Sequence, residues 1–283
     1  MKKIKIVTDS SAQLTIDEIN KYDIHIVPLS ITFSDKTYTD GVDISREDFV
    51  KKMLSADELP KTSQPSIGLF EDVFKDLASD GSHILGIFLT QSLSGTISAA
   101  KQAADLLNLG DNITIIDSGL TDRALGLQVL AAAKDLIAGK TLQEIKLHIE
   151  AIKKNQHLEM MVSNLDNLIK GGRLGSISGK IATLLNIKLV LQMTDGKLSV
   201  YKKGRGKKFF KDFEERVLAD IEANKNQISE VGISYVDTPD IAAEIADRIH
   251  LINSDINVLS NITSPIISSH AGSGAIAIIY YTE

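Results

Sequence analysis

The 283-residue sequence predicts an α/β fold: an N-terminal, mostly parallel sheet flanked by helices, then a second α+β domain. Three observations carry this expectation. Short β-branched runs alternate with helical apolar stripes through the first half, as a parallel sheet wound with crossover helices requires. The second half changes character to a hairpin followed by alternating strand and helix patterns. At roughly 150 residues per domain the length fits two, and the expected boundaries are 1–160 and 161–283.

The elements follow in order. Ile4 to Val7, Ile24 to Phe33, Ile84 to Leu89 and Ile113 to Ile116 read as strands, and three of these runs end in small hydroxyl or acidic residues. Between them, Leu69, Phe70, Val73, Phe74 and Leu77 form one helical stripe, and Ile97, Ala100, Ala104 and Leu107 form another. A third stripe, Leu142, Ile145, Ile149 and Ile152, gives way to the polar run Lys153 to His157, which places the boundary near 160. Ile187 to Met193 and Leu198 to Tyr201 flank Thr194-Asp195-Gly196-Lys197, a hairpin whose Asp-Gly pair suits a type I′ turn. Val231 to Val236, the stripe Ile241, Ile245, Ile249 and Ile252, then Ile256 to Leu259 and Ala275 to Tyr281 complete a small sheet with helices expected on one side.

Composition removes several function classes. Lys plus Arg is 31 against 37 Asp plus Glu, a net charge of −6, so no global positive field draws nucleic acid or an anionic membrane. The absence of cysteine excludes disulfides, thiolate catalysis and cysteine-ligated metals, and it suits a cytoplasmic location. The start Met-Lys-Lys-Ile-Lys-Ile-Val is charged like a signal peptide, but Thr8 to Ser11 stop the apolar run too early. No uninterrupted apolar run of about 18 residues occurs, so no stable membrane insertion is expected. Six histidines and many acids show no metal-binding spacing, and no metal or cofactor is expected.

Four loops concentrate hydroxyls: Thr8 to Ser11, Thr62 to Ser66, Gln91 to Thr96, and Asp117 to Gly119. Ser94-Gly95-Thr96 opens a helix, where free N–H groups and the helix dipole favour a carboxylate or phosphate. Each loop alone could be a simple helix cap. Three of them directly follow an expected strand, and several together point to a shared site, because strand-end loops of one parallel sheet converge on one crevice.

Other motifs are weaker. His270-Ala271-Gly272-Ser273-Gly274-Ala275 contains a dinucleotide-like glycine spacing, but a strand follows it instead of a helix, so that reading fails and His270 remains a candidate ligand contact. Gly175 to Lys180 resembles a Walker A loop with one residue too few and Ile181 where Ser or Thr belongs. Lys170-Gly171-Gly172-Arg173 sets a cation among glycines, fit either for an anion or for a helix-ending turn. Lys202 to Lys211 carries six cations, including Arg205, yet the acidic chain as a whole argues against nucleic acid. Ser94 and His270 stand in the chain order of an α/β-hydrolase nucleophile and base, but Ser92 and Thr96 replace both elbow glycines. A serine esterase using Ser94 and His270 is therefore the alternative reading, and an RNA-binding segment is a third.

Taken together, Val7-Thr8-Asp9-Ser10-Ser11, Lys61-Thr62-Ser63-Gln64-Pro65-Ser66, Ser92-Leu93-Ser94-Gly95-Thr96, Gly171-Gly172-Arg173-Leu174 and His270 to Ala275 resemble the DegV family of bacterial fatty-acid-binding proteins. The resemblance spans nearly the whole chain. It implies a non-enzymatic lipid carrier that encloses a long-chain fatty acid, such as palmitate, in a tunnel between its domains. The carrier would present the acid to a separate ATP-dependent fatty acid kinase, giving acyl phosphate for phospholipid metabolism. By motif position, Thr62 and Ser94 would bind the carboxylate, Ser63 and Gly95 would complete the pocket, and His270 would sit beside it. Arg173 resembles the family arginine of the kinase-dependent step, and Arg205 resembles one that serves the partner surface. Ala271 and Ser273 depart from the threonine and proline common in the family, in a loop whose rigidity they would alter.

Overall fold

The computed structural model describes residues 2–174 and 187–283. The Walker-like segment from Gly175 to Lys180 lies outside the described residues. The chain runs β1 (Ile4–Asp9), α1 (Ile16–Tyr22), β2 (Ile24–Val27), β3 (Ser30–Thr32), β4 (Thr37–Thr39), α2 (Arg46–Ser55) and β5 (Lys61–Ser63). Next come α3 (Ile67–Ala78), β6 (His83–Phe88), α4 (Thr96–Leu106), β7 (Ile113–Asp117), α5 (Asp122–Ile137) and α6 (Leu142–Asn155). The second half holds β8 (Gln156–Val162), α7 (Asp166–Lys170), β9 (Lys188–Thr194), β10 (Lys197–Gly204), α8 (Gly206–Asn224), β11 (Glu230–Tyr235), α9 (Pro239–Ile252), β12 (Asn257–Ile262), α10 (Pro265–Ala271) and β13 (Ile276–Tyr281).

Two sheets dominate. The first is parallel throughout, in the order β2-β1-β6-β7. The second has six strands in the order β10-β9-β8-β13-β11-β12 and is antiparallel except for its β11-β12 edge. The α/β class expected from the alternating pattern therefore holds. Asp195 and Gly196 both have positive φ, 50° and 73°, as the expected type I′ turn requires.

The run Ile24 to Phe33 differs from the single strand expected of it. Pro28 lacks an N–H and cannot continue the ladder, so the chain leaves the parallel sheet after Val27. β3 then pairs with β4 and β5 in a small antiparallel sheet that carries Thr62 and Ser63.

Helix α5 escapes the periodicity argument for a physical reason. Thirteen of its 16 residues are buried, so it has no polar face and shows no stripe. It lies between the sheets, packing Leu125, Val129 and Leu130 toward the parallel one and Ala124 and Leu127 toward β8 and β13. Helices α3 and α4 cover the outer face of the parallel sheet, and α8 and α9 cover the outer face of the other. The second sheet is thus clad on both faces, where helices on one side were expected, because α5 is shared by both sheets.

Arg123, in the first turn of α5, ties the two halves together. Its side chain is 1% exposed. It donates from NH2 to Glu18 of α1 at 2.6 Å and from Nε to Glu230 of β11 at 2.6 Å, while NH1 reaches Glu18 and the Gln13 carbonyl, each at 2.8 Å. Gly232 makes room for it: a Cβ there would lie 2.6 Å from the arginine Cγ.

Candidate functional site

Beyond the carboxyl ends of the parallel strands lies a cavity, where the crevice rule for α/β sheets places a ligand. Leu29 follows β2, Leu89 follows β6, and Thr121 and Asp122 start α5; these form one wall. Leu158 and Met160 of β8, Met193 of β9, Leu198 of β10 and Ala277 of β13 form the opposite wall. Strand alternation explains the set, since Leu158 and Met160 share a face, Ala277 pairs with Met160, and Leu198 pairs with Met193. Among the described residues no Phe, Tyr or Trp lines the cavity.

The polar lining is concentrated in Thr62, Ser63, Gln64, Ser94, Arg173 and His270, contributed by loops and element ends of both halves. Thr62 Oγ1 is hydrogen bonded to His270 Nε2 at 2.8 Å. Burial, and then the charge of Arg173, push the His270 pKa down to about 4, so the imidazole is neutral near pH 7. Its Nδ1 is buried without a partner among the described residues. Gly171 lets the ring sit there, because a Cβ at that position would fall 2.3 Å from Nδ1.

A neutral buried histidine couples folding to pH. Below about 6.5 the unfolded chain takes up a proton that the folded chain refuses until about pH 4, so stability falls as pH drops through that window. His270→Phe is expected to flatten this acid limb in urea denaturation measured from pH 7 to 4, by on the order of 2–3 kcal/mol. An unchanged slope would mean that another group sets it.

Arg173 is half-buried, and burial lowers its pKa. It donates to the carbonyls of Gly171 at 2.6 Å and Leu93 at 3.3 Å, and no carboxylate pairs with it among the described residues. A half-buried cation whose described partners are carbonyl oxygens keeps N–H donors that could meet an anion.

Ser94 Oγ meets Thr96 Oγ1 at 2.9 Å and accepts the Thr96 N–H at 3.3 Å. Gly95 is the N-cap of α4 and supplies no side-chain cap. The Gln64 carboxamide rests against it, where a Cβ would fall 2.0 Å from Oε1. Ser94 and His270 line the same cavity but are not bonded to each other, and the second imidazole nitrogen carries no carboxylate. Among the described residues, Ser94 therefore meets neither the base nor the orienting acid of a serine nucleophile.

Of the hydroxyl loops, Thr62 to Ser66 and Gln91 to Thr96 line the cavity, whereas the strand-end loops Thr8 to Ser11 and Asp117 to Gly119 do not, against the expectation that strand-end loops converge there. Asp9 instead accepts from the backbone N–H of Leu89 at 2.8 Å and from Ser11 Oγ at 2.6 Å, pinning two strand ends together. Asp117 caps its own loop at the Gly119 N–H, 2.8 Å away. Arg205 is exposed at the N-cap of α8 and lies outside the cavity wall. Ala271 lines the cavity, and Ser273 donates to Asp237 at 3.1 Å, tethering the loop. The sequence reading missed Gln64 as a contact, Met160 and Met193 as wall residues, and Asp122, whose φ of 58° is invisible without coordinates.

The family model described as an uncharacterised protein of the DegV family matches residues 3–283. A DegV domain-containing protein of Streptococcus pneumoniae is 40% identical over 281 residues, covering 99% of this chain and 98% of the relative. This chain belongs to the DegV family. A second DegV domain-containing protein, from Listeria innocua, is 38% identical over the full length of both chains. Among solved structures, DegV from Bacillus subtilis, a fatty acid binding protein, superposes with a TM-score of 0.91 at 26% identity over 100% of both chains. A fatty-acid-binding DegV family protein from Thermus thermophilus gives 0.88 at 26% identity, also over 100% of both. A stearic acid-binding protein from Eubacterium ventriosum gives 0.87 at 26% identity over 98% of both. DegV structures therefore bind fatty acids on the fold seen here. Among the described residues no helix is long and apolar enough to cross a membrane.

Proposed function

We propose that this DegV-family protein is a carrier that encloses one long-chain fatty acid between its two sheets. The carboxylate rests at Thr62, Ser63, Ser94, Gly95 and His270. The observation that carries this reading is an aliphatic, methionine-containing cavity whose polar lining gathers neutral hydroxyls beside a helix start. A tail of about 15 methylenes gains roughly 12 kcal/mol of gross transfer free energy at ~0.8 kcal/mol each, from which immobilisation subtracts several. The head group needs only donors, and the hydroxyls supply charge-assisted bonds. The carrier works in the cytoplasm and hands its ligand to a separate ATP-dependent fatty acid kinase, which forms the acyl phosphate. Arg173 serves that transfer, and Arg205 serves the partner surface.

Titrating delipidated protein with saturated acids of rising length tests the reading. Affinity is expected to rise about fourfold per methylene with 1:1 stoichiometry until the cavity is full. A flat series would defeat it. Arg173→Ala is expected to keep palmitate affinity within about threefold, because the arginine touches carbonyls and not the hydroxyl cluster. It should lower acyl phosphate formation by the kinase at least tenfold. Normal turnover in that variant would remove the arginine from the transfer.

A further inference from the structure

The second half reaches over the cavity with a projecting arm. The β8–β9 ladder ends at the Glu159–Gln192 pair, whereas β9 and β10 stay paired with each other out to Thr194 and Lys197. Residues Met193 to Leu198 therefore stand beyond the sheet as a two-stranded ribbon, and Met193 and Leu198 line the cavity. The base of the ribbon is fixed. Tyr201 is an extra residue in the ladder, a bulge that bends the strand, and the Arg216 guanidinium of α8 lies 4.9 Å from the centre of its ring. The tip is held at one atom. The Gly196 carbonyl accepts from Thr90 Oγ1 at 2.9 Å and from Ser92 Oγ. Among the described residues, these are the only hydrogen bonds from Met193 to Leu198 to anything outside the hairpin. Gly196 also rests on the loop after β7, where a Cβ on it would fall 3.6 Å from Gly119 Cα.

We infer that this ribbon, Met193 to Leu198, is a strap over the cavity that parts to let the acid in and out, latched by the Thr90 and Ser92 hydroxyls on the Gly196 carbonyl. The inference rests on the carrier reading for its ligand. The walls of the cavity differ in what their movement would break. Ala277 belongs to β13, which is paired on both sides, and Thr121 and Asp122 stand at the start of α5, thirteen of whose 16 residues are buried. Moving either would tear a sheet or a core. Lifting the ribbon breaks two hydroxyl bonds and bares Met193 and Leu198, and the bulge at its base already bends the strand. The latch also adjoins the head-group residues. Ser92 and Ser94 share one loop, in which the Leu93 N–H donates to the Thr90 carbonyl at 3.1 Å, and Leu93 and Ser94 both line the cavity. The strap therefore closes onto the loop that holds the carboxylate.

Stopped-flow exchange of palmitate on the full chain tests the strap. Thr90→Val with Ser92→Ala is expected to raise the association and dissociation rates together, each by about tenfold, while affinity stays within about threefold. Because the sequence has no cysteine, Gln91→Cys with Lys197→Cys, both at exposed positions, can be joined by a short bis-methanethiosulfonate linker that reductant removes. The linked protein is expected to exchange palmitate about tenfold more slowly, or slower still, and reductant should restore the rate. An unchanged rate in either protein would refute the strap. So would a dissociation rate that rises alone in the hydroxyl variant with a matching loss of affinity, which marks a damaged wall. Failure of palmitate to bind the parent would overturn the carrier reading, and hydrogen exchange of ligand-free protein then judges the strap by itself. Amides of Met193 to Leu198 should exchange faster in the hydroxyl variant while those of Leu189 to Leu191 keep their rates, and equal exchange throughout would refute it.

Discussion

Removing both head-group hydroxyls, Thr62→Val with Ser94→Ala, is expected to weaken palmitate binding by about 3–6 kcal/mol. Each hydroxyl contributes about 1.5–3 kcal/mol as a donor to a charged group. The two sit on different elements, β5 and the loop before α4, so their effects should be nearly additive. The coupling that does exist runs through His270. Losing the Thr62 hydroxyl frees Nε2, which the same ring can then offer to the ligand, so Thr62→Val alone should cost less than Ser94→Ala. Isothermal titration of the two single variants and the double variant decides this. A double variant within about 1 kcal/mol of the parent would place the carboxylate elsewhere.

Arg123→Ala is expected to destabilise the fold by about 3–5 kcal/mol, because it leaves two carboxylates uncompensated at a nearly dry interface. Glu18 is 22% exposed and Glu230 14%, so water recovers only part of the loss. Arg123→Lys should recover little. A single ammonium cannot reach Glu18, Glu230 and the Gln13 carbonyl as the guanidinium fork does. The neighbouring Asp122 lines the cavity and accepts from Ser234 and Thr263, each at 2.6 Å, so the change should also loosen the cavity wall. Urea unfolding measures the first effect. A shift below about 1 kcal/mol would mean that apolar packing around α5 alone joins the sheets.

What the sequence disclosed depended on period. Strands such as Ile84 to Leu89 and helices such as α3, with Phe70, Phe74 and Leu77 buried, carry their own signal and appear where expected. Helix α5 carries none, because a helix buried between two sheets has no solvent face to mark its repeat. The cavity was legible in part. Thr62, Ser94 and His270 lie in compact motifs, and all three line it. Its opposite wall comes from Met160, Met193, Leu198 and Ala277, which become neighbours only through sheet order. Arg123 was beyond reach for a related reason: its partners Glu18 and Glu230 stand 105 and 107 positions away, and no local pattern marks such a bond.

The most direct test of the whole account is to purify the protein from cells, denature it, extract with organic solvent and weigh the extract by mass spectrometry. Close to one equivalent of a long-chain fatty acid per chain is the predicted result, falling sharply in the Thr62→Val, Ser94→Ala variant. Protein that carries no such acid and takes none up when palmitate is added would contradict it.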